Sequence, residues 1–124
     1  MRLYLDTNVI VDILEDRDPT SADLFLRSLA CEHTLVLSSW LFQELANIGK
    51  ASMGETIQSL LGGNEKVVFV RHAPSDMALA DDLLTHFADA LHYVLARRYA
   101  DALVTHNLKD YPFTDLPIGK PEMF

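Results

Sequence analysis

In the segment LYLDTNVIVDIL, residues 3–14, the hydrophobic pattern changes from that of a strand to that of a helix. This change decides the fold. Residues 3–5 all have large side chains, one of them aromatic, as in a short buried strand. The apolar residues that follow recur with the spacing of one helix face: Val9, Ile10, Ile13 and Leu14. The polar residues Asp6, Thr7 and Asn8 therefore lie at a strand-to-helix junction, where α/β proteins usually bind ligands.

Helix capping is a second explanation of these three polar residues, because aspartate, threonine and asparagine all serve as N-caps. This segment alone does not separate a cap from a functional site. The positions of polar residues relative to the other strands have to decide between the two explanations.

The composition is that of an ordinary globular protein, with 49% hydrophobic and 23% charged residues among 124. This length suits one domain, which we assign to residues 1–124. The formal net charge of -8 disfavours a protein that binds duplex DNA through a basic face. The same charge is compatible with a metal site built from carboxylates or with a basic protein partner.

The single cysteine and the short apolar segments together predict a cytoplasmic protein with no membrane association. Cys31 has no partner for an internal disulfide, which argues for a reducing compartment, and we expect it to pack as a small residue in a helix. Asp6, Asn8 and Asp12 interrupt the first apolar segment too early for a signal peptide. No apolar stretch approaches the length of a membrane span.

Strand patterns alternate with helix patterns along the rest of the chain. Strands are predicted at residues 33–39, 66–70 and 102–106, with a short edge strand at Leu116 to Ile118. The valine and phenylalanine content of residues 66–70 is typical of a buried strand. The alternation predicts an α/β fold: a three-layer α/β/α domain with a mostly parallel central sheet of four to five strands.

Two helices carry specific predictions about their caps and buried faces. The helix at residues 19–30 is expected to be capped by Thr20 or Ser21. Its predicted apolar face consists of Ala22, Phe25, Leu26 and Leu29. The next helix is expected to be capped by Ser38 or Ser39, and its predicted apolar stripe consists of Leu41, Leu45 and Ile48.

Four acidic residues fall at or near the carboxyl ends of the predicted strands. Asp6 ends the first strand, and Glu44 lies in the helix that follows the second. Asp89 lies near the start of the helix before the strand at 102–106, and Asp110 follows that strand. Each residue alone also suits a surface, a helix-dipole or a turn position. Their common placement at one edge of the sheet favours a site.

Carboxylates that share a cavity repel one another unless a cation compensates their charge. Oxygen ligands indicate Mg²⁺ or Mn²⁺ rather than zinc. Two such ions, about 3.5–4 Å apart, can bind an attacking water and the leaving oxygen of a phosphodiester. Neighbouring polar side chains would orient the carboxylates or waters: Thr7, Asn8, Ser38, Thr105 and Asn107.

Four segments, in this order, resemble a PIN-domain nuclease: LDTNVIVDIL, SSWLFQELAN, FADALHYVLARRYADALVTHNLKDYP and PIGKPEMF. The resemblance covers nearly the whole chain and is to the bacterial branch that includes VapC-like toxins of type II toxin–antitoxin pairs. It implies a homodimer that cleaves single-stranded RNA with a metal-activated water and without a covalent intermediate.

The resemblance also implies roles for the acidic residues. Asp6 and Asp89 would hold the principal metal ion, and Glu44 would support it and position water. Asp110 is similar to a fourth acidic position and would assist a second ion. Many relatives carry an acid where this chain has Asn107, so either Asp110 is the fourth ligand or the site has only three acidic ligands. One and two metal ions both stay open.

Basic residues near these segments are candidate contacts for RNA. His106 borders the site and suits a phosphate contact. Arg97 and Arg98 either face RNA or form a solvated helix flank. His92, one turn after Asp89, either orients a carboxylate, contacts RNA or packs as an ordinary histidine.

The charge suits a basic antitoxin partner better than a large RNA footprint. Two divalent ions would bring the -8 only to about -4. We expect a segment of the antitoxin to lie along the groove and to insert an arginine or lysine among the carboxylates. Trp40, Leu41 and Phe42 form a bulky cluster that lines this groove or packs in the core.

Two other functions fit parts of the sequence. A receiver-like phosphoryl-accepting domain also uses strand-end carboxylates, and Thr105 and Lys109 match its threonine and lysine. Its acidic pair and acceptor aspartate have no counterparts, since the third strand ends in FVRHAP. A PIN-fold module that binds a partner without turnover would have the same ligands as an active nuclease.

Overall fold

The computed structural model describes residues 1–30, 32–83 and 85–124. Within these residues, five strands are present: β1 (Arg2–Leu5), β2 (Thr34–Ser38), β3 (Val67–Val70), β4 (Ala102–Val104) and β5 (Ile118–Gly119). The α-helices of the same residues are α1 (Thr7–Leu14), α2 (Pro19–Leu29), α3 (Ser39–Asn47), α4 (Ala51–Leu61), α5 (Pro74–Asp81) and α6 (Phe87–Tyr99). Short 3₁₀ turns cover Leu108–Asp110 and Pro121–Met123.

The strands form one parallel sheet in the order β3-β2-β1-β4-β5. The predicted α/β class and the parallel sheet are therefore confirmed. The receiver-like alternative is wrong, because receiver domains have the order 2-1-3-4-5. All strands end at the same edge, so residues that follow β1, β2 and β4 lie side by side.

Two hydrophobic cores cover the two faces of the sheet, as the three-layer prediction requires. Leu3 and Leu5 of β1 pack with residues of α1 to α4, whereas Tyr4 packs with residues of α5 and α6. This alternation follows from the two-residue period of a strand. It directs the Tyr4 side chain toward α6, where its hydroxyl contacts His92.

Helix α2 differs from the predicted cap and buried face. Its N-cap is Asp18, rather than Thr20 or Ser21, because the Asp18 carboxylate accepts from the backbone N–H groups of both. Phe25 and Leu29 of the predicted face do pack against the core, whereas Leu26 is 67% exposed. The fully buried residues of the helix are Ser21, Leu24 and Ser28. The serines tolerate burial because their hydroxyls find local acceptors, Asp18 and the Leu24 carbonyl.

Two further predictions are corrected at the edges of elements. Ile48 of the predicted α3 stripe is 56% exposed and only ends the helix, although Leu41 and Leu45 are buried and Ser38 is the cap. Strand β3 is an edge strand, so Phe69 is 41% exposed.

Strand β5 covers Ile118–Gly119 rather than Leu116 to Ile118. Pro117 has no N–H and contributes only its carbonyl, which accepts from Leu103 N–H. The prediction that Cys31 packs in a helix lies outside the described residues. Within the described ranges, no helix combines the length and apolar character needed to cross a bilayer.

Candidate metal centre

Asp6 is fixed at the carboxyl end of β1 by contacts from three elements. Its Oδ1 accepts from Thr7 N–H at 2.7 Å, which caps α1. Its Oδ2 accepts from Thr105 Oγ1 at 2.8 Å and from the Tyr111 hydroxyl at 3.0 Å. Only 6% of the residue is exposed. The capping explanation of the first segment is therefore confirmed, and the same carboxylate lies in the candidate metal centre.

Glu44 and His92 complete a compact group of metal-ligating side chains around Asp6. Glu44 Oε1 accepts from Thr7 Oγ1 at 2.6 Å and contacts His92 Nε2. His92 Nε2 also lies 3.5 Å from Asp6 Oδ1. One ligand atom from each of the three residues lies within 4.8 Å of the others.

A chain of hydrogen bonds holds the buried His92 ring in place. The Tyr4 hydroxyl lies 2.6 Å from His92 Nδ1 and 2.7 Å from Ser38 Oγ. Ser38 Oγ in turn accepts from Leu41 N–H at 3.1 Å. A carboxylate has only acceptors, so His92 donates to Glu44 from Nε2. Ser38, predicted beside the metal, acts on the site through Tyr4 and His92.

Asp89 joins the cluster from the first turn of α6, one turn before His92. Partial burial, and then the charges of Asp6 and Asp110, raise the pKa of the Asp89 carboxyl. Asp110 lies in the 3₁₀ turn and affects Asp89, but it does not belong to the compact ligand group of Asp6, Glu44 and His92. Negative charge thus accumulates in this region.

His92 supplies part of the compensating charge. Burial opposes the charged imidazolium, yet the hydrogen bond to Glu44 and the charges of nearby carboxylates outweigh it and raise the pKa of His92. Burial likewise opposes ionisation of Glu44, but the bonds from His92 and Thr7 outweigh it and lower the pKa of Glu44. The two shifts agree in describing an ion pair.

The residues around this cluster fit a hard divalent cation. A groove of about 380 Å³ is lined by acidic and amide side chains that include Asp6, Asn8, Glu44, Asp89 and Asn107. Asn8 Oδ1 is buried there and has no hydrogen-bond partner within the described residues. Carboxylate and amide oxygens are ligands that Mg²⁺ and Mn²⁺ prefer. Asp6, Glu44 and Asp89 are the residues that would hold such an ion.

Comparison with known proteins gives the family. The sequence model of the PIN domain matches residues 3–114. The chain belongs to the PIN domain family. Compared with curated protein sequences, this PIN domain matches none.

Solved structures share the fold of this PIN domain at low sequence identity. VapBC2 from Rickettsia felis, bound to a DNA fragment from its promoter, is 20% identical with a TM-score of 0.69, over 95% of this chain and 97% of that chain. A toxin–antitoxin complex from Klebsiella pneumoniae is 14% identical with a TM-score of 0.67, over 96% and 97% of the two chains. Mycobacterium tuberculosis VapC20, a toxin that cleaves the sarcin-ricin loop, is 13% identical with a TM-score of 0.62, over 93% and 98%.

Several predicted RNA contacts lie away from this acidic cluster. Arg97 and Arg98 are in the last turn of α6, about 12 Å along the helix axis from Asp89. Arg97 pairs with Asp115 and Arg98 with Asp76. The structure does not bring these arginines to the metal centre.

The remaining predicted residues divide between the site and its surroundings. Asn107 lines the groove, and its N–H donates to Thr105 Oγ1 at 3.1 Å. His106 Nε2 instead lies beside Asp12 and Ser21, each at 3.1 Å. Leu41 is fully buried and therefore does not line the groove.

Sequence reasoning missed four residues of the site. The Tyr4 hydroxyl contacts His92, and the Tyr111 hydroxyl donates to Asp6. Arg17 and Lys50 also line the groove, and both pair with Glu15. The role of Tyr4 could have been predicted from the sequence, because a tyrosine in a buried strand needs a hydrogen-bond partner for its hydroxyl. Arg17 and Lys50 carry none, since surface cations are common.

The raised pKa of Asp89 predicts that its charge destabilises the metal-free protein. A carboxyl whose pKa is raised by folding contributes stability below its ordinary value of 3.8 and loses it as pH rises through the folded value. We therefore expect Asp89→Asn to raise the Tm by about 1–3 °C at neutral pH in EDTA, and to change it little near pH 4.

Thermal unfolding across this pH range measures the effect, with Asp82→Asn as a control at an exposed position. Added Mg²⁺ should raise the Tm of the parent more than that of Asp89→Asn. A lower Tm for Asp89→Asn in EDTA at neutral pH would show that Asp89 is not repelled by its neighbours.

Proposed function

We propose that this PIN domain is a Mg²⁺- or Mn²⁺-dependent endoribonuclease that cleaves single-stranded RNA and is the toxin of a toxin–antitoxin pair. The observation that carries the proposal is the convergence of Asp6, Glu44 and Asp89 from three separate elements. They lie beside the buried Asn8 Oδ1, for which the described part of the chain supplies no hydrogen-bond partner. The single cysteine of the chain supports a cytoplasmic location.

Bound divalent ions would lower the pKa of a water molecule and stabilise the charge that develops on the phosphodiester. The protein side chains prepare the site for this chemistry. Thr105 and Tyr111 hold one oxygen of Asp6, so that the carboxylate is oriented before any ligand binds. Glu44, held by Thr7, would position the attacking water, and Asp110 would assist a second ion.

Hydrolysis in this scheme is a direct attack by water: the water oxygen bonds to phosphorus as the bond from phosphorus to the leaving ribose oxygen breaks, the water gives a proton to solvent, and the leaving oxygen takes one up. Asp6 and Asp89 would serve as metal ligands, and no protein atom becomes bonded to phosphorus. Single-stranded RNA is the substrate class that we favour, because a net charge of -8 gives little attraction for a duplex. The RNA-cleaving activity named for the M. tuberculosis VapC20 neighbour supports the same class.

The proposed partner is a basic antitoxin. The neighbours from R. felis and K. pneumoniae are toxin–antitoxin complexes, and the charge of this chain complements a cationic partner. The groove between α1 and α3 begins at the carboxylates and includes the 56% exposed Ile48. An antitoxin segment in this groove would inhibit by inserting an arginine or lysine among the acids. We also propose that the protein is a homodimer.

A binding module without turnover is the second candidate. The observation that favours it is the contact between His92 and Glu44, since this ion pair satisfies a carboxylate that a metal ion would otherwise use. Metal-dependent turnover separates the two candidates.

The test is the cleavage of a mixed pool of single-stranded RNA by the purified protein, freed of any antitoxin. Reactions contain Mg²⁺, Mn²⁺ or EDTA. We expect defined cuts with either metal and none with EDTA. Folded protein that binds RNA but produces no cuts in any reaction would favour the binding module.

A further inference from the structure

A second groove, of about 440 Å³, lies at the carboxyl end of β3. Its lining includes Phe42 of α3, Gln58 of α4, and Phe69 and Arg71 of the β3 region. This volume falls within the range of small-molecule sites in proteins. None of these residues contributes to the acidic cluster.

The groove lies at the same edge of the sheet as the metal centre. Tyr4 pairs with Val36, and Ser38 pairs with Val70. Continuing this register by two residues places Asp6 beside Ser38, in the same row across the sheet as Val70. Two strand spacings, about 10 Å in all, therefore separate Asp6 from the residue before Arg71. One extended strand of nucleic acid can reach both places.

The groove combines an open aromatic surface with a cation. The Phe42 and Phe69 rings stack with centroids 6.0 Å apart, and Phe69 is 41% exposed because β3 is an edge strand. Arg71 is exposed and makes no ion pair within the described residues. Four other arginines are paired with carboxylates: Arg17, Arg27, Arg97 and Arg98.

The position of Arg71 is fixed by the residue that follows it. His72 N–H donates to Ser39 Oγ at 2.8 Å, and His72 Nδ1 lies 2.6 Å from the same oxygen. The His72 ring also packs edge-on against Trp40, with centroids 5.8 Å apart. These contacts tie the segment after β3 to the start of α3, the helix that carries Glu44. The second groove and the metal centre are thus held by one element.

We propose that this groove is a subsite for the RNA substrate, in which a base packs against Phe69 and Phe42 and a phosphate binds Arg71. The inference rests on the proposed function and adds a place where the strand is held beside the cleaved bond. Aromatic faces combined with arginine are the features that bind single strands with little sequence preference. Gln58 offers an exposed amide that can contact a base edge.

The test measures binding in the Asp6→Asn background, so that RNA remains intact. Fluorescently labelled single-stranded RNAs of graded length are titrated, and Kd is obtained by anisotropy at several salt concentrations. Phe69→Ala and Arg71→Gln are compared with Lys66→Gln, which removes a positive charge at the opposite end of β3, and with Leu79→Ala, which truncates an exposed apolar side chain of α5.

We expect Phe69→Ala and Arg71→Gln each to weaken binding of the longer RNAs about five- to tenfold, with no change for the shortest. Arg71→Gln should also reduce the slope of log K against log salt by about 0.7. The two control variants should bind like the background protein.

The outcomes separate this inference from the nuclease proposal. If the parent cleaves RNA but all variants bind equally, the subsite is wrong and the nuclease proposal stands. If the parent binds without cleaving and the groove variants lose affinity, the subsite stands and the nuclease proposal fails. Unchanged RNA binding with a change of oligomeric state in Phe69→Ala, seen by sedimentation, would assign the groove to a second copy. Absence of any RNA binding would overturn both.

Discussion

Asp6→Asn is expected to reduce metal-dependent cleavage of single-stranded RNA by at least about a hundredfold, because it removes a charged ligand whose carboxylate accepts hydrogen bonds from Thr7, Thr105 and Tyr111. The substitution is nearly isosteric. Its effect therefore reports the loss of charge at the metal centre rather than a change of shape.

The fold should survive this substitution. An asparagine oxygen still accepts from Thr7 N–H and caps α1. The amide group can face the hydroxyls of Thr105 and Tyr111, which rotate to accept. The loss of one charge also relieves the repulsion with Asp89. We expect a Tm within a few degrees of the parent in EDTA, and a smaller rise on adding Mg²⁺.

Initial rates of cleavage with Mg²⁺, together with thermal unfolding of the same samples, measure both effects. Asp12→Asn is the matched control, because Asp12 lies in α1, the helix that Asp6 caps, and lines the same groove but is paired with His106. Equal losses of activity in the two variants would mean that general charge in the groove, rather than a ligand at position 6, controls the rate.

His92→Leu is expected to have the largest effect on stability. The His92 ring is only 1% exposed, and its removal leaves Glu44 beside Asp6 and Asp89 without a counter-charge. Breaking a buried ion pair by removing one partner costs about 3 kcal/mol or more. We therefore expect a loss of about this size in the free energy of unfolding, measured by urea in EDTA.

The effect should depend on pH in a defined way. Because folding raises the pKa of His92, its contribution to the free energy of unfolding is fully present below pH 6.5 and is lost as pH rises through the pKa of the folded state. Because folding lowers the pKa of Glu44, its contribution to the free energy of unfolding is fully present above pH 4.5 and is lost as pH falls through the pKa of the folded state. The difference between parent and variant should be largest between these two pH values.

Mg²⁺ distinguishes a counter-charge from a ligand. If His92 serves as the counter-charge of Glu44, added Mg²⁺ should raise the Tm of His92→Leu more than that of the parent. His86 is exposed and lies at the start of the same helix, so His86→Leu is the control. It should change neither the free energy of unfolding nor the rise in Tm with Mg²⁺. A variant that no longer responds to Mg²⁺ would instead make His92 a metal ligand.

The sequence predicted the positions that depend on local pattern. Asp6 and Asp89 could be placed because a polar residue after a buried strand, or in the first turn of an amphipathic helix, has a defined place at the sheet edge. Family resemblance then supplied a common function for residues far apart in the chain. The PIN domain match and the parallel sheet confirm the fold.

The remaining features depend on tertiary contacts that no local pattern contains. The His92–Glu44 pair joins residues on two different helices, and the Tyr111 bond to Asp6 joins a loop to the first strand. Phe69 is apolar by composition, yet its exposure depends on β3 being at the edge of the sheet. The buried face of α2 was only partly predicted: Phe25 and Leu29 pack against the core, but two serines are buried beside them because their hydroxyls find local acceptors.

A divalent ion at Asp6, Glu44 and Asp89 is detected most directly by Fe²⁺-mediated cleavage of the protein itself. Fe²⁺ replaces Mg²⁺, and ascorbate with peroxide then generates radicals that cut the backbone next to the bound ion. We predict cuts at the end of β1, in α3 and at the start of α6, which excess Mg²⁺ suppresses and Asp6→Asn abolishes. Cuts confined to the acidic residues around His106, or cuts that Mg²⁺ does not suppress, would contradict a metal centre at Asp6.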